Sequence, residues 1–191
     1  MNSKLTENKK FDKLDYTKHN LVKGEYDTCT FVNCNFSNAN LSDITFIECV
    51  FDSCDLSLAK ISNTAFNNIK FINCKLLGLH FDDCNDLLLT VYFENCIIKL
   101  SSFYKLKLKK TKFKSCNLQD TDFTETDLSN SIFDNCDLQR AIFESTNLEK
   151  TDFYSSYNFS FDPEKNRMGK AIFSQMGIVG LLDKYDIEIK Q

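Results

Sequence analysis

From Leu21 onward a large apolar residue recurs at every fifth position: Tyr26, Phe31, Phe36, Leu41, Phe46, Phe51, Leu56, Ile61, Phe66, Phe71, Leu76 and Phe81. A second register runs Phe93, Ile98, Phe103, Leu108, Phe113, Leu118, Phe123, Leu128, Phe133, Leu138, Phe143, Leu148 and Phe153. Neither common period accommodates this spacing. Five residues of α-helix turn through about 500°, so successive side chains would drift by about 140°, and five residues of strand send alternate side chains to opposite faces. A chain that turns a corner within each five-residue unit resets the register before drift accumulates. Self-similarity at a short fixed period marks a solenoid, whose units bury their apolar face only by stacking on one another.

The repeated unit is visible in SNANLSD, QDTDFTE, TETDLSN and ESTNLEK, which follow the pattern A(D/N)LXX with Thr for Ala in the last three and Phe for Leu in QDTDFTE. This pattern resembles the pentapeptide-repeat family over about residues 21–160. The resemblance implies an all-β, right-handed quadrilateral (four-sided) parallel β-helix with four pentapeptides per coil and a short C-terminal helical cap. The sequence supports four sides independently at a spacing of twenty: Phe93, Phe113, Phe133 and Phe153 form one series, and Phe103, Phe123 and Phe143 a second. Leu or Ile fills the other two. The expected organisation is an N-terminal segment or cap over 1–20, the β-helix over 21–161 and a C-terminal module over 162–191. Phe11 and Tyr16 are also in phase, but Leu14 and His19 occupy positions where small residues belong, so the repeat is read from Leu21.

Eighteen Phe, no Trp, one Pro and five Gly suit a narrow core filled with one ring type. The first twenty residues have no apolar stretch of signal-peptide kind, and no run approaches the length of a membrane span. The expected location is the cytoplasm, with no membrane contact.

Nine cysteines invite a disulfide or metal reading. Cys29, Cys34, Cys49, Cys54, Cys74, Cys96, Cys116 and Cys136 each lie two residues before a large central residue, and Cys84 keeps the phase. They are expected as buried small hydrophobes. Cys34, Cys54 and Cys74 should stack, as should Cys96, Cys116 and Cys136. Parallel Cβ vectors about 4.8 Å apart do not form bridges, and neither a CxxC pair nor a nearby histidine completes a metal site. No GxSxG, P-loop or GxGxxG motif occurs, and His19 and His80 are isolated. The reading is a protein without catalytic residues, metal or cofactor.

The frame breaks once. Phe81 and Phe93 are twelve residues apart, two more than a whole number of repeats, and Asp86 stands where an apolar residue belongs. A bulge or short loop near 84–92 must absorb the surplus, either as an insertion that bends the rod or as a projection that meets a partner.

Charge gives the remaining clue. The net charge is -4, too small for a rod that imitates DNA along its whole length. Residues 111–162, however, hold ten acids against four basic residues, approaching duplex charge density over about 12 Å. Asp120, Asp122, Glu125, Asp127, Asp134, Asp137, Glu144, Glu149 and Asp152 are the candidate partner-binding acids. Just before them, KLKLKK (105–110) supplies four lysines while Leu106 and Leu108 stay in inward phase. Those lysines read either as a solubilising outer surface or as a contact for an acidic partner. With a sequence pI near 5.2, direct nucleic-acid binding is not expected.

The C-terminal stretch DPEKNRMGKAIFSQMGIVGLLDKYDI leaves the five-residue pattern, with Asp162–Pro163 placed to start a turn. It resembles the C-terminal module of the Qnr and McbG group of pentapeptide-repeat proteins, which implies a homodimer joined through Met176, Ile178, Val179, Leu181, Leu182 and Tyr185; a monomer with a capping helix is the other reading. The same resemblance implies a DNA mimic that occupies the DNA-binding saddle of a type II topoisomerase such as DNA gyrase and protects it from quinolones or peptide toxins. The alternative is a scaffold or protein-interaction module.

Overall fold

The computed structural model describes residues 4–190. Its strands are short and lie on two sides of a coil: β1 (Lys4–Glu7), β2 (Lys10–Asp12), β3 (Gly24–Asp27), β4 (Thr30–Val32), β5 (Thr45–Ile47), β6 (Val50–Asp52), β7 (Ala65–Asn67), β8 (Ile69–Ile72), β9 (Val91–Glu94), β10 (Lys112–Lys114) and β11 (Ile132–Asp134). They pair in parallel, in the orders β1-β3-β5-β7 and β2-β4-β6-β8-β9-β10-β11. Isolated parallel bridges such as Asn117 to Asp137 and Asp122 to Ile142 continue the ladder on the other two sides. The result is a four-sided parallel β-solenoid of about seven coils. Its sides are named below by the central residues of one coil: Phe113, Leu118, Phe123 and Leu128.

Most five-residue units close with a residue in the left-handed region, two after the central one; Asn33, Asp43, Ser53, Asn73, Asp120, Asn130 and Asn135 all have φ between 52° and 61°. Asn and Asp tolerate this conformation best among non-glycine residues and hold many of these corners, while residues such as Leu100, Lys105, Glu125 and Arg140 are held in it by the regular stack. The Asn or Asp just before the central residue has a second task. Its side chain accepts the backbone N–H two residues on, as at Asn35 to Ser37 (3.0 Å), Asp122 to Thr124 (2.8 Å) and Asp152 to Tyr154 (2.8 Å). The D/N of the repeat is therefore a turn-building residue.

The central side chains fill the interior. Phe11, Phe31, Phe51, Phe71, Phe93, Phe113, Phe133, Phe153 and Phe173 stack in one column, with neighbouring ring centroids 4.8 to 5.5 Å apart. Phe81, Phe103, Phe123 and Phe143 stack on the opposite side, at 4.6 to 5.2 Å. The two columns meet edge to face, as at Phe113 and Phe123 (5.9 Å, 82°), a favourable geometry for ring quadrupoles. The slot two residues before each centre is buried, and where it holds Cys, Ser or Thr the polar atom commonly reaches a carbonyl of the preceding coil. Thr126 Oγ1 donates to the Phe103 carbonyl (2.8 Å), Ser131 Oγ to Leu108 (2.8 Å), and Cys74 Sγ to Phe51 (3.2 Å).

Six of the nine cysteines form one continuous column where two separate sets of three were expected. The bulge keeps Lys75 paired with Ile97, so Cys96 follows Cys74 and the series Cys34, Cys54, Cys74, Cys96, Cys116, Cys136 is continuous. All are buried free thiols. Neighbouring thiols and burial push Cys74 and Cys116 up, and burial raises Cys49 and Cys84 to about 12.

The solenoid register extends past both ends of the 21–161 span. β1 and β2 pair with β3 and β4, with Phe11 opposite Phe31, and Tyr16 stacks on Phe36 at 4.6 Å. At the other end Arg167 bridges to Asn147 and Ile172 to Asp152. The C-terminal cap is built from 3-10 turns, Pro163–Lys165, Gly177–Leu181 and Asp183–Tyr185. Gly180 presses on the core end so closely that a Cβ would lie 1.9 Å from the Phe159 carbonyl oxygen.

The two surplus residues lie at 86–90. Asn85 still bridges to Ala65, and Val91 is already back in register with Ile69. Asp86 turns outward and Leu89 packs partly against the core, leaving Leu87 and Leu88 73% and 67% exposed. Among the described residues no backbone hydrogen bond joins 85–90 to 107–110, so the ladder is interrupted here.

Two outcomes follow from this packing. Phe113→Ala, in the middle of the ring column, should cost about 3–5 kcal/mol in urea unfolding; a cost below about 1 kcal/mol would remove the column as the main source of stability. Deleting Asp86 and Leu87 leaves Cys84-Asn85-Leu88-Leu89-Thr90, a regular unit, and should raise Tm in thermal CD. A lower Tm would mean that the bulge is required by the coil.

Candidate interaction surface

The nine acids that are contiguous along the chain are not contiguous in space. Stacking at a spacing of twenty places Asp134 and Asp152 on the Phe113 side, and Asp120 and Asp137 on the Leu118 side. Asp122, Glu125 and Glu144 fall on the Phe123 side, with Asp127 and Glu149 on the Leu128 side. A chain that winds four-fold within twenty residues distributes any local run over its whole circumference.

These acids are also partnered. Asp122, Asp127, Asp137 and Asp152 each accept a backbone N–H two residues on. Arg140 donates through Nε and Nη2 to the two oxygens of Asp120 (2.5 and 2.7 Å), holding that carboxyl below its usual range. Glu125 lies 3.5 Å from Lys105, Asp127 3.2 Å from Lys109, Asp134 3.9 Å from Lys112, Glu144 3.1 Å from Lys165, and Glu149 2.9 Å from Arg167. Four of these cations, Lys105, Lys109, Lys165 and Arg167, lie outside 111–162 in sequence yet stack directly on the block. Its local charge excess is therefore smaller in space than along the chain.

One side nonetheless retains a carboxylate excess. The Phe123 side carries Asp43, Asp82, Asp83, Asp122, Glu125 and Glu144 against Lys23, Lys60, Lys105 and Lys165. Asp43, Asp82 and Asp83 escape sequence reasoning because they lie about 40 to 100 residues from the others; stepping by twenty, with the two surplus residues of the bulge added, was the available signal. A cleft of about 450 Å³ opens on this side, lined by His80, Asp82, Tyr104, Asp120 and Asp122 among others. His80 Nδ1 is 3.6 Å from Asp82 Oδ1. Among the described residues no group of three or more His, Cys, Asp or Glu has metal-binding geometry, and no helix is long and apolar enough to cross a membrane.

The C-terminal end presents a different chemistry. Of the six residues assigned to a dimer contact, Met176 (83%), Ile178, Val179 and Tyr185 are exposed, Leu182 is half-buried and Leu181 packs against the core. With Tyr154, Tyr157 and Phe159, Met176 and Val179 line a groove of about 600 Å³. An ion-pair clasp closes the cap: Lys184 Nζ lies 2.7 Å from Asp162 and 2.8 Å from Glu164, and the Tyr185 hydroxyl donates to Glu164 (3.2 Å). Lys184 holds both carboxyls below their usual range.

A lowered carboxyl pKa stabilises the folded form above the unfolded value and loses that contribution as pH falls through the folded one. The clasp should therefore be intact at neutral pH and open only below the ordinary carboxyl range, as pH falls through the lowered folded values. NMR of the Tyr185 ring should report this opening while the solenoid amides stay protected, and Lys184→Met should produce the open spectrum at pH 7. An unchanged Tyr185 environment in both cases would show that the clasp does not hold the cap.

Comparison with known proteins agrees with the geometry. A family model described as "Pentapeptide repeat region" matches residues 25–86 and 87–157. Two trypsin-treated forms of QnrB1, a plasmid-mediated fluoroquinolone resistance protein, share the fold at a TM-score of 0.64 and 19% sequence identity; the alignments cover 98% and 100% of this chain and 100% of theirs. No curated protein matches the chain.

Proposed function

The chain belongs to the pentapeptide-repeat family, and from that premise we propose that it is a non-enzymatic DNA mimic that binds a type II topoisomerase, DNA gyrase, and protects it from quinolones or toxins. The observation that carries this reading is the end-to-end fold likeness to a fluoroquinolone resistance protein. The carboxylate excess of the Phe123 side supports it. Carboxylates along a straight, regular face would meet the Arg and Lys of a DNA-binding saddle in place of phosphates. The exposed apolar C-terminal end supports a homodimer that extends this surface, with Met176, Ile178, Val179 and Tyr185 at the contact. The proposed location is the cytoplasm, where such an enzyme works.

The dense lattice of ion pairs between coils favours a second reading, a scaffold or interaction module, because partnered carboxylates offer less free charge to a basic groove. Gyrase supercoiling in the presence of a quinolone separates the two. The mimic should restore supercoiling, its effect should weaken steeply with salt, and Asp83→Lys/Glu125→Lys, which reverses two exposed acids of this side, should abolish rescue while leaving the CD spectrum intact. No rescue at any protein concentration would exclude the mimic and leave the scaffold.

A further inference from the structure

The Leu128 side differs from the other three in that its charge reverses along the axis. Before the bulge it carries Glu7, Glu25, Asp27 and Glu48 against Lys4; after it come Lys107, Lys109, Lys110, Lys150, Arg167 and Lys170 against Asp127 and Glu149. Cross-coil pairing uses up much of the charge elsewhere. Here, among the described residues, Glu25, Asp27 and Glu48 form no ion pair, and neither do Lys107, Lys110, Lys150 and Lys170; Lys109 and Arg167 take up Asp127 and Glu149. At the point of reversal stand the exposed Leu87 and Leu88, the latter held at φ 68°.

The bulge is also central. Four units of this side precede it, at 4–8, 25–28, 45–48 and 65–68, and four follow, at 107–110, 127–130, 147–150 and 167–170. A half-turn about an axis that lies in the contact plane, perpendicular to the rod at the level of the bulge, exchanges the acidic half with the basic half and returns the leucines to themselves.

We infer that the Leu128 side is a self-association face on which two copies pack antiparallel. Leu87 and Leu88 of each copy meet those of the other at the two-fold axis. The Glu25, Asp27 and Glu48 half of one copy lies over the lysine half of its partner, and the reverse. An isologous contact requires a face that is its own complement after a half-turn; here the two halves carry opposite net charge, and the lysines of 107–110 come to lie over the uncharged 65–68 unit, one coil step from Glu48 of the partner. Eight steps of about 4.8 Å between the units of this side, the bulge included, give a contact about 40 Å long and one side wide. That places it in the smaller, charge-steered class of interfaces, sensitive to salt. Because this contact lies on the flank, it is independent of the C-terminal groove; with both contacts formed, copies alternate along a chain.

Sedimentation velocity on the full chain tests this, in a Met176→Asp background that removes the C-terminal contact from the readout. A dimer should form at low salt in the upper micromolar range, dissociate in 0.5 M NaCl, and be lost in Leu87→Ser/Leu88→Ser. Two charge reversals give the decisive comparison: Glu25→Lys/Asp27→Lys/Glu48→Lys and Lys107→Glu/Lys110→Glu/Lys170→Glu should each be monomeric alone and form a heterodimer when mixed. CD spectra that match the parent establish that the surface variants are folded. A single-chain mass for the Met176→Asp protein at low salt, or a dimer that persists in both reversals, or no complex on mixing them, would each overturn the inference.

Discussion

Successive coils are held together by two interactions that act along the same axis: backbone hydrogen bonds between coils, and the stacking of like side chains above like. The nine-ring Phe column, with neighbours 4.8 to 5.5 Å apart, follows the coil spacing that the hydrogen bonds impose. Neither interaction is available to a single coil. Each unit is a folded element only as part of the stack, which is why the five-residue period must run through most of the chain.

The same constraint decides what the surface can do. A residue's neighbours in space are those about twenty positions away, so the electrostatics of this molecule is written in columns. Asp120 faces Arg140, Lys105 faces Glu125, and Glu149 meets Arg167 across the coils. The aspartates of the repeat carry a structural duty as well, since Asp122, Asp127, Asp137 and Asp152 build the turns that keep the units regular. An acidic sequence in this fold therefore does not by itself make an acidic face. The surplus on the Phe123 side and the reversal on the Leu128 side are properties of columns.

Where the stack is imperfect, the chain exposes what it otherwise hides. Two surplus residues at the bulge interrupt the ladder on one side and put Leu87 and Leu88 into solvent. At the C-terminal end the last coil cannot pair onward. The chain covers it with short 3-10 turns, tied down by the Lys184 clasp, and shows Met176 and Tyr185 beyond them.

The period in Phe and Leu, the small residue two before each, and the spacing of twenty determined the four-sided solenoid, the buried thiols and the place of the bulge, because packing in this fold is dictated locally, five residues at a time. The reach of the stack to Phe11 and Phe173 was only half legible, since Leu14 and His19 break the small-residue rule while the backbone register continues. The candidate site was the least legible part. Which carboxylates share a side, which cations neutralise them, and that six cysteines form a single column depend on which residues lie above one another. That is set by the two extra residues at 86–90 and by the winding of the coil, a relation between distant parts of the chain that only the tertiary structure decides.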